Sequence, residues 1–137
     1  MPKTPRTTST SIGSEKLYMQ KAQNFLDGAN ILFEHGNWEA SATLCIHAVI
    51  SSCDAITAKF LSCKHSGPTH LDVINLIEQI PMANKSELKT KITQIKEVIL
   101  MKNKVEYEEK PIKKSQTQKI ITQSDRIVKW IATHIMQ

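Results

Sequence analysis

The chain has 137 residues, 40% of them hydrophobic, and carries 18 Lys and Arg against 13 Asp and Glu for a formal net charge of +5. That is one domain's length with enough apolar material for a core. Aromatic residues make up only 5%, which argues against the stacking platforms of OB-like or RRM-like folds, while the basic excess directs attention to polyanions such as RNA, DNA or nucleotides.

Three cysteines, Cys45, Cys53 and Cys63, are an odd number without the spacing of a small disulfide scaffold, so they read as reduced, structural thiols of a cytoplasmic protein. Cys63 and His65 stand close together, but no third and fourth ligand accompanies them, and no metal site or cofactor is expected. The sequence reads without an apolar run of transmembrane length or a secretory leader, so no membrane partner is expected.

Residues 1–13 are rich in Ser, Thr and Pro, with Lys3 and Arg6, and read as a disordered tail. Residues 14–137 read as a single helical domain. Its first helix is expected to start at Ser14, an N-cap residue followed by Glu15. Tyr18, Ala22, Phe25, Ala29, Leu32 and Phe33 then recur at helical spacing. Gly36 is expected to stop it and Asn37 to cap the next helix, a short turn that makes the two antiparallel neighbours.

The second helix is predicted from about Trp38 to Leu61. It is apolar on most of its circumference, which suits a central helix or an oligomer interface. The turn Ser66-Gly67-Pro68 follows, and Thr69 is expected to cap a short helix from His70 to Ile80. A fourth helix begins near Ser86-Glu87 with the stripe Leu88, Ile92, Ile95 and Ile99 and runs to about Tyr107 or Glu109. A fifth carries Ile120, Ile127, Ile131 and Ile135 to the C-terminus. No strand-period segment stands out. The expected fold is all-α: an antiparallel, up-and-down bundle of about five helices.

Two features break the bundle pattern. On the second helix, Thr43, His47, Ser51 and Asp54 follow +4, +4, +3 spacing and fall in one narrow arc. Asp54 has no basic residue three or four places away, so no helix ion pair accounts for it. The stripe is either a thin solvated face or the polar wall of a cleft, in which His47 exchanges protons near neutral pH and Ser51 and Asp54 hold a ligand. Ser51, His47 and Asp54 are the residue types of a hydrolytic triad, but one helix face is poor geometry for that chemistry. On the fourth helix, the apolar stripe extends by +4 to Asn103 and again to Tyr107, so an amide and a phenol take over the row, flanked by Lys102 and Lys104. The plain alternative is a helix end in solvent, with Glu106 pairing Lys102 or Lys110.

The stretches Trp38-Glu39-Ala40, Ile46-His47-Ala48-Val49-Ile50-Ser51-Ser52-Cys53-Asp54-Ala55-Ile56, Pro68-Thr69-His70-Leu71 and Lys102-Asn103-Lys104-Val105-Glu106-Tyr107 together resemble the HEPN domain family (higher eukaryotes and prokaryotes nucleotide-binding). The resemblance spans roughly Ser14 to Ile131. Many members carry an Arg, a polar residue, a few variable residues and a His on the fourth helix. Lys102 stands here at the Arg position, Asn103 at the polar position and Tyr107 at the His position.

The resemblance implies a helical bundle that homodimerises with the two motifs facing across a cleft. It implies RNA or nucleotide as ligand and, in catalytic members, metal-independent cleavage with the 2′-hydroxyl as nucleophile. Some members are toxins paired with a nucleotidyltransferase as antitoxin. On that basis Lys102, Asn103 and Tyr107, with His47, are the candidate catalytic residues, and Ser51, Asp54 and Lys104 the candidate ligand-binding ones. Lys lacks the bidentate fork of Arg, and a phenol, with an ordinary pKa near 10, suits proton donation better than proton abstraction. His47 would supply the missing imidazole if the second and fourth helices pack together. The competing reading is a non-catalytic helical module for dimerisation or protein interaction.

Overall fold

The computed structural model describes residues 5–67 and 69–136. Among these, five α-helices carry the fold: α1 Ser14–Glu34, α2 Trp38–Leu61, α3 Val73–Ile77, α4 Lys85–Tyr107 and α5 Lys114–Ile135. Two three-residue strands, β1 Thr7–Ser9 and β2 Cys63–His65, pair antiparallel, and a 3-10 turn spans His70–Asp72. The all-α architecture expected from the sequence is observed.

The stop at Gly36 is a Schellman motif. Gly36 has φ +78; its N–H donates to Phe33 O at 3.0 Å and the Asn37 N–H donates to Leu32 O at 2.9 Å. Glycine takes this left-handed conformation without the Cβ penalty. The turn folds α2 back along α1. Phe33 meets Trp38 at 5.1 Å between ring centroids, Ser41 Oγ donates to Ala29 O at 2.7 Å, and Phe25 meets His47 at 5.8 Å. Residue numbers fall on α1 as they rise on α2, so the pair is antiparallel.

The same logic orients the rest. Gln123 Nε2 donates to Glu97 at 3.0 Å, and Trp130 Nε1 donates to Glu87 nearer the start of α4, making α4 and α5 antiparallel. Lys59 Nζ donates to the carbonyls of His134 and Ile135, both at 2.7 Å, placing the C-terminal ends of α2 and α5 together. An ammonium there satisfies terminal carbonyls and complements the α5 dipole. The result is an up-down-up-down bundle.

α2 lies at its centre. Ala42, Cys45, Ile46, Ala48, Val49, Cys53, Ala55 and Ile56 are fully buried, and α2 packs against α1, α4 and α5. Contrary to the expectation of no apolar run of transmembrane length, α2 would by length and composition alone pass for a membrane span, although His47, Asp54 and Lys59 interrupt its apolar residues. In the bundle more than half of its apolar window is buried, and the neighbouring helices provide the apolar surroundings.

Several expectations at element ends are corrected. Ser14 is the first helical residue and Gly13 the N-cap. Asn37 and Thr69 occupy cap positions, yet neither side chain makes a cap hydrogen bond. At α4 the cap is Asn84, whose side chain accepts from the Glu87 N–H at 2.9 Å. The helix expected over 70–80 shortens to the 3-10 turn and α3, followed by turns through Ile80. Its few apolar residues, Val73, Leu76 and Ile77, suffice to anchor one turn in the core.

The tail expected to be disordered over 1–13 instead carries β1, with Thr7 opposite His65 and Ser9 opposite Cys63. The Thr10 N–H donating to Ser62 O and the Ser66 N–H donating to Arg6 O flank the pairing. Backbone pairing does not need the hydrophobic side chains whose absence suggested disorder. Residues 1–4, Pro68 and Gln137 lie outside the described residues.

Gly36→Ala should destabilise the protein by about 1–2 kcal/mol, the cost of placing a Cβ in the left-handed region. Thermal unfolding of the two proteins checks this.

Candidate nucleic-acid groove

The C-terminal half of α4 forms one wall of an open groove, and the segment entering the 3-10 turn forms the other. Thr69, His70 and Leu71 face Ile99, Leu100, Lys102, Asn103 and Tyr107 across a volume of about 440 Å³. All three residues at the motif positions therefore line one groove. The apolar row that runs through Leu88, Ile95 and Ile99 is buried, whereas Asn103 is exposed and Tyr107 is 72% exposed. The row leaves the core at this point, so neither the amide nor the phenol needs a buried partner.

Glu106 organises the motif from behind. Its carboxylate accepts from Lys102 Nζ in a short i,i+4 ion pair, and its other oxygen stands 4.0 Å from His47 Nε2 on α2. The Lys102 ammonium also lies 5.7 Å from the centroid of the Tyr107 ring. Charge and aromatic face together hold Lys102 at the groove. α2 and α4 do pack together, the condition for a role of His47 at the motif, but His47, resting on Phe25 at 5.8 Å, reaches the back of the motif and not the groove wall.

The residue that sequence reasoning missed is His70. It lines the groove opposite Lys102, and its ring centroid lies 5.9 Å from that of His65. Partial burial, then the positive fields of His65, Lys102 and His47, lower its pKa from the ordinary imidazole value, with Glu106 acting weakly in the opposite sense. His70 therefore takes up a proton less readily than an ordinary imidazole. Its only signal in the sequence was its place in Pro68-Thr69-His70-Leu71, because nothing local to that segment shows that it faces α4. Next to it, the buried His65 leaves Nε2 without a hydrogen-bond partner.

The polar stripe on α2 does not form one site. Thr43 lines a second groove of about 620 Å³ with Glu39, Glu106 and Glu108, where the carboxylates would repel a polyanion. Ser51 and Asp54 do not line the α4 groove, and neither does Lys104. Asp54 belongs to the junction of α1, α2 and β2. Burial pushes its carboxyl up to about 6, partly offset by the positive charges of Lys64 and Lys21. A basic counterpart for Asp54 does exist, supplied by other elements and not by its own helix.

The cysteines are free. Burial raises the Cys45 thiol to about 12 and raises Cys53 as well, the signature of inert core thiols. Among the described residues no three His, Cys, Asp or Glu side chains converge as a metal-ligand set.

A helical bundle with an open groove at the end of one long helix, lined by a lysine, an imidazole, an amide and a phenol, is the class of structure these residues define. The family model of the HEPN domain matches residues 15–135. The chain belongs to the HEPN domain family. Comparison with curated proteins finds no match.

The Asp54 environment makes a signed prediction. A carboxyl whose pKa rises from 3.8 to about 6 on folding favours its protonated form in the native state. Native stability is therefore lost as pH rises from about 4 to about 6, by an amount on the order of 3 kcal/mol. Asp54→Asn should raise the melting temperature at pH 7.5 and leave it nearly unchanged at pH 4. Equal melting temperatures at both values would contradict this account of Asp54.

Proposed function

We propose that this HEPN domain binds the phosphates of RNA or a nucleotide in the α4 groove, as a dimer whose two grooves face each other. The observation that carries this reading is the placement of Lys102, Asn103 and His70 around one open groove, with the negative charge of Glu106 taken up behind it by Lys102 and facing His47. The lysine offers charge, the amide and imidazole offer hydrogen bonds, and the exposed phenol ring offers one stacking surface for a base. With a single aromatic ring and no Arg fork, the site suits backbone recognition more than base reading.

Support for the dimer comes from the same helix. Leu100 is 53% exposed and Tyr107 is 72% exposed; with Asn103 they sit at +3 and +4 spacing on one outward row of α4. A large apolar side chain left bare beside the polar motif fits a surface that a second copy covers. The cellular role consistent with this reading is that of an RNA-directed toxin or defence protein held in check by a partner. The alternative, a non-catalytic dimerisation module, draws on the Lys102–Glu106 pair, which neutralises part of the charge that a phosphate would use.

Binding of a fluorescent single-stranded RNA, measured by anisotropy across a salt series, separates these readings. Lys102→Ala should weaken binding and reduce the magnitude of the slope of log K against log salt by about 0.7, the loss of roughly one phosphate contact. An unchanged slope, or no RNA binding by the wild type, would favour the interaction module. For the dimer, Leu100→Glu should convert it to a monomer in light scattering after size exclusion; an unaltered mass would place the interface elsewhere.

A further inference from the structure

A second recess opens at the other end of α4 from the motif. Phe60 at the end of α2, Met82 in the connection before α4, Glu87 in the first turn of α4, and Trp130 and His134 on the last turns of α5 line a volume of about 290 Å³. None of these residues lines the α4 groove. We infer that this recess binds a methylated ammonium cation, held against the aromatic rings with Glu87 as its counter-ion.

Helix geometry brings the rings together. Trp130 and His134 stand four residues apart on α5 and share one face. Their ring centroids are 4.8 Å apart at an interplanar angle of 66°, an edge arrangement that sets two walls at an angle. α2 and α5 end side by side, where Lys59 donates to the carbonyls of His134 and Ile135, and that junction carries Phe60 to the same recess. α4 runs antiparallel to α5, so its first turn meets the last turns of α5, and the indole N–H of Trp130 donates to the Glu87 carboxylate. This hydrogen bond orients the ring and ties the charge to its edge. The backbone beneath Glu87 is held as well, because Asn84 accepts from its N–H at 2.9 Å and Leu88 next to it is buried.

Electrostatics select the ligand. The face of an aromatic ring attracts a cation within about 6 Å of its centroid. Glu87 adds a full negative charge. Trp130 uses one of its oxygens, and Glu87 forms no ion pair among the described residues. No Lys or Arg lines the recess, although Lys and Arg outnumber Asp and Glu 18 to 13 in the chain. The local charge is thus opposite in sign to that of the whole protein, which disfavours an anion. This corner already holds one ammonium: Lys59 Nζ lies 5.6 Å from the centroid of the Phe60 ring while it donates to the two helix-end carbonyls. A bare metal cation would need a shell of oxygen ligands that a single carboxylate does not supply. A methylated ammonium is only weakly hydrated, and its methyl groups gain from contact with Phe60, Met82 and Trp130. The same head group occurs on small molecules and on methylated lysine side chains, and the recess recognises the chemistry common to both.

The test follows the two tryptophan indole N–H signals of the full chain by NMR, with Trp130→Phe to assign them and Trp38 as the internal control. It is run at about pH 8, where ordinary imidazoles are neutral, and at constant ionic strength. Choline and 3,3-dimethyl-1-butanol share one shape and differ in charge. Choline should move the Trp130 signal saturably and leave Trp38 in place, and the neutral alcohol should move neither. Glu87→Gln keeps an oxygen acceptor for the indole and removes the charge; it should weaken choline binding about five-fold with an unchanged fold. Phe60→Leu keeps the apolar volume without the ring and should weaken it about three-fold. A trimethyllysine peptide, set beside the same peptide with unmodified lysine, identifies the source. Tighter binding than choline assigns the head group to a protein side chain, and equal or weaker binding assigns it to a free small molecule. No Trp130 response to choline or to the methylated peptide, an equal response to the neutral alcohol, or wild-type affinity for choline in Glu87→Gln would each overturn the inference.

Discussion

The centre of this bundle is a helix that cannot be left at a surface. α2 is apolar around so much of its circumference that α1, α4 and α5 must all pack on it, and the buried row from Ala42 to Ile56 is the seam they share. Everything that positions the groove follows from that constraint. α4 is held along α2 by Ile95, Val98 and Ile99 in the common core, which fixes the rotation of its last two turns. Once Ile99 points inward, Leu100, Asn103 and Tyr107 must point away. The motif is displayed because the preceding residues are buried.

Within that frame, Glu106 links the two features that break the apolar pattern. It receives Lys102 from its own helix and faces His47 from α2. Side-chain exposures of 18% for Glu106 and 24% for Lys102 put this pair between a surface bridge, worth little, and a buried one, costly to form. Its value lies in position. It keeps the lysine at the groove edge and stands between it and His47. The same half-buried setting lets the charges of His47, His65 and Lys102 act together on His70, where bulk water would screen them.

Helix periodicity made most of the fold legible. The five helices, the Gly36 stop and the order of the stripes can be read from apolar spacing, because burial selects those positions directly. Cap chemistry was less legible. Asn37 and Thr69 have the right residue type at the right place without the hydrogen bond, since a cap also depends on the path of the chain entering the helix. The β1–β2 pairing was invisible for a different reason: its register is carried by backbone groups that every residue possesses. At the site, Lys102, Asn103 and Tyr107 were legible as a departure from the α4 stripe, and His47 as a polar residue in an apolar helix. Ser51 and Asp54 share the arc of His47, but an arc continues along a helix while a groove does not, and neither residue lines it. His70 could not be found this way because its place in the groove depends on two segments some thirty residues apart coming together.

The family motif as it stands here looks degraded when read along one helix, because a phenol replaces the expected imidazole. Read across the groove, the same residues form a different set. General acid–base chemistry requires two groups with opposed protonation states at one pH, and a lone helix makes this difficult because neighbouring groups share one environment. The half-buried turn and the exposed helix end give the two groups different surroundings: burial, with Lys102 nearby, opposes protonation of His70, and Tyr107 stands in solvent. The substituted motif positions and the imidazole on the turn thus belong to one groove, which the sequence of α4 alone does not display.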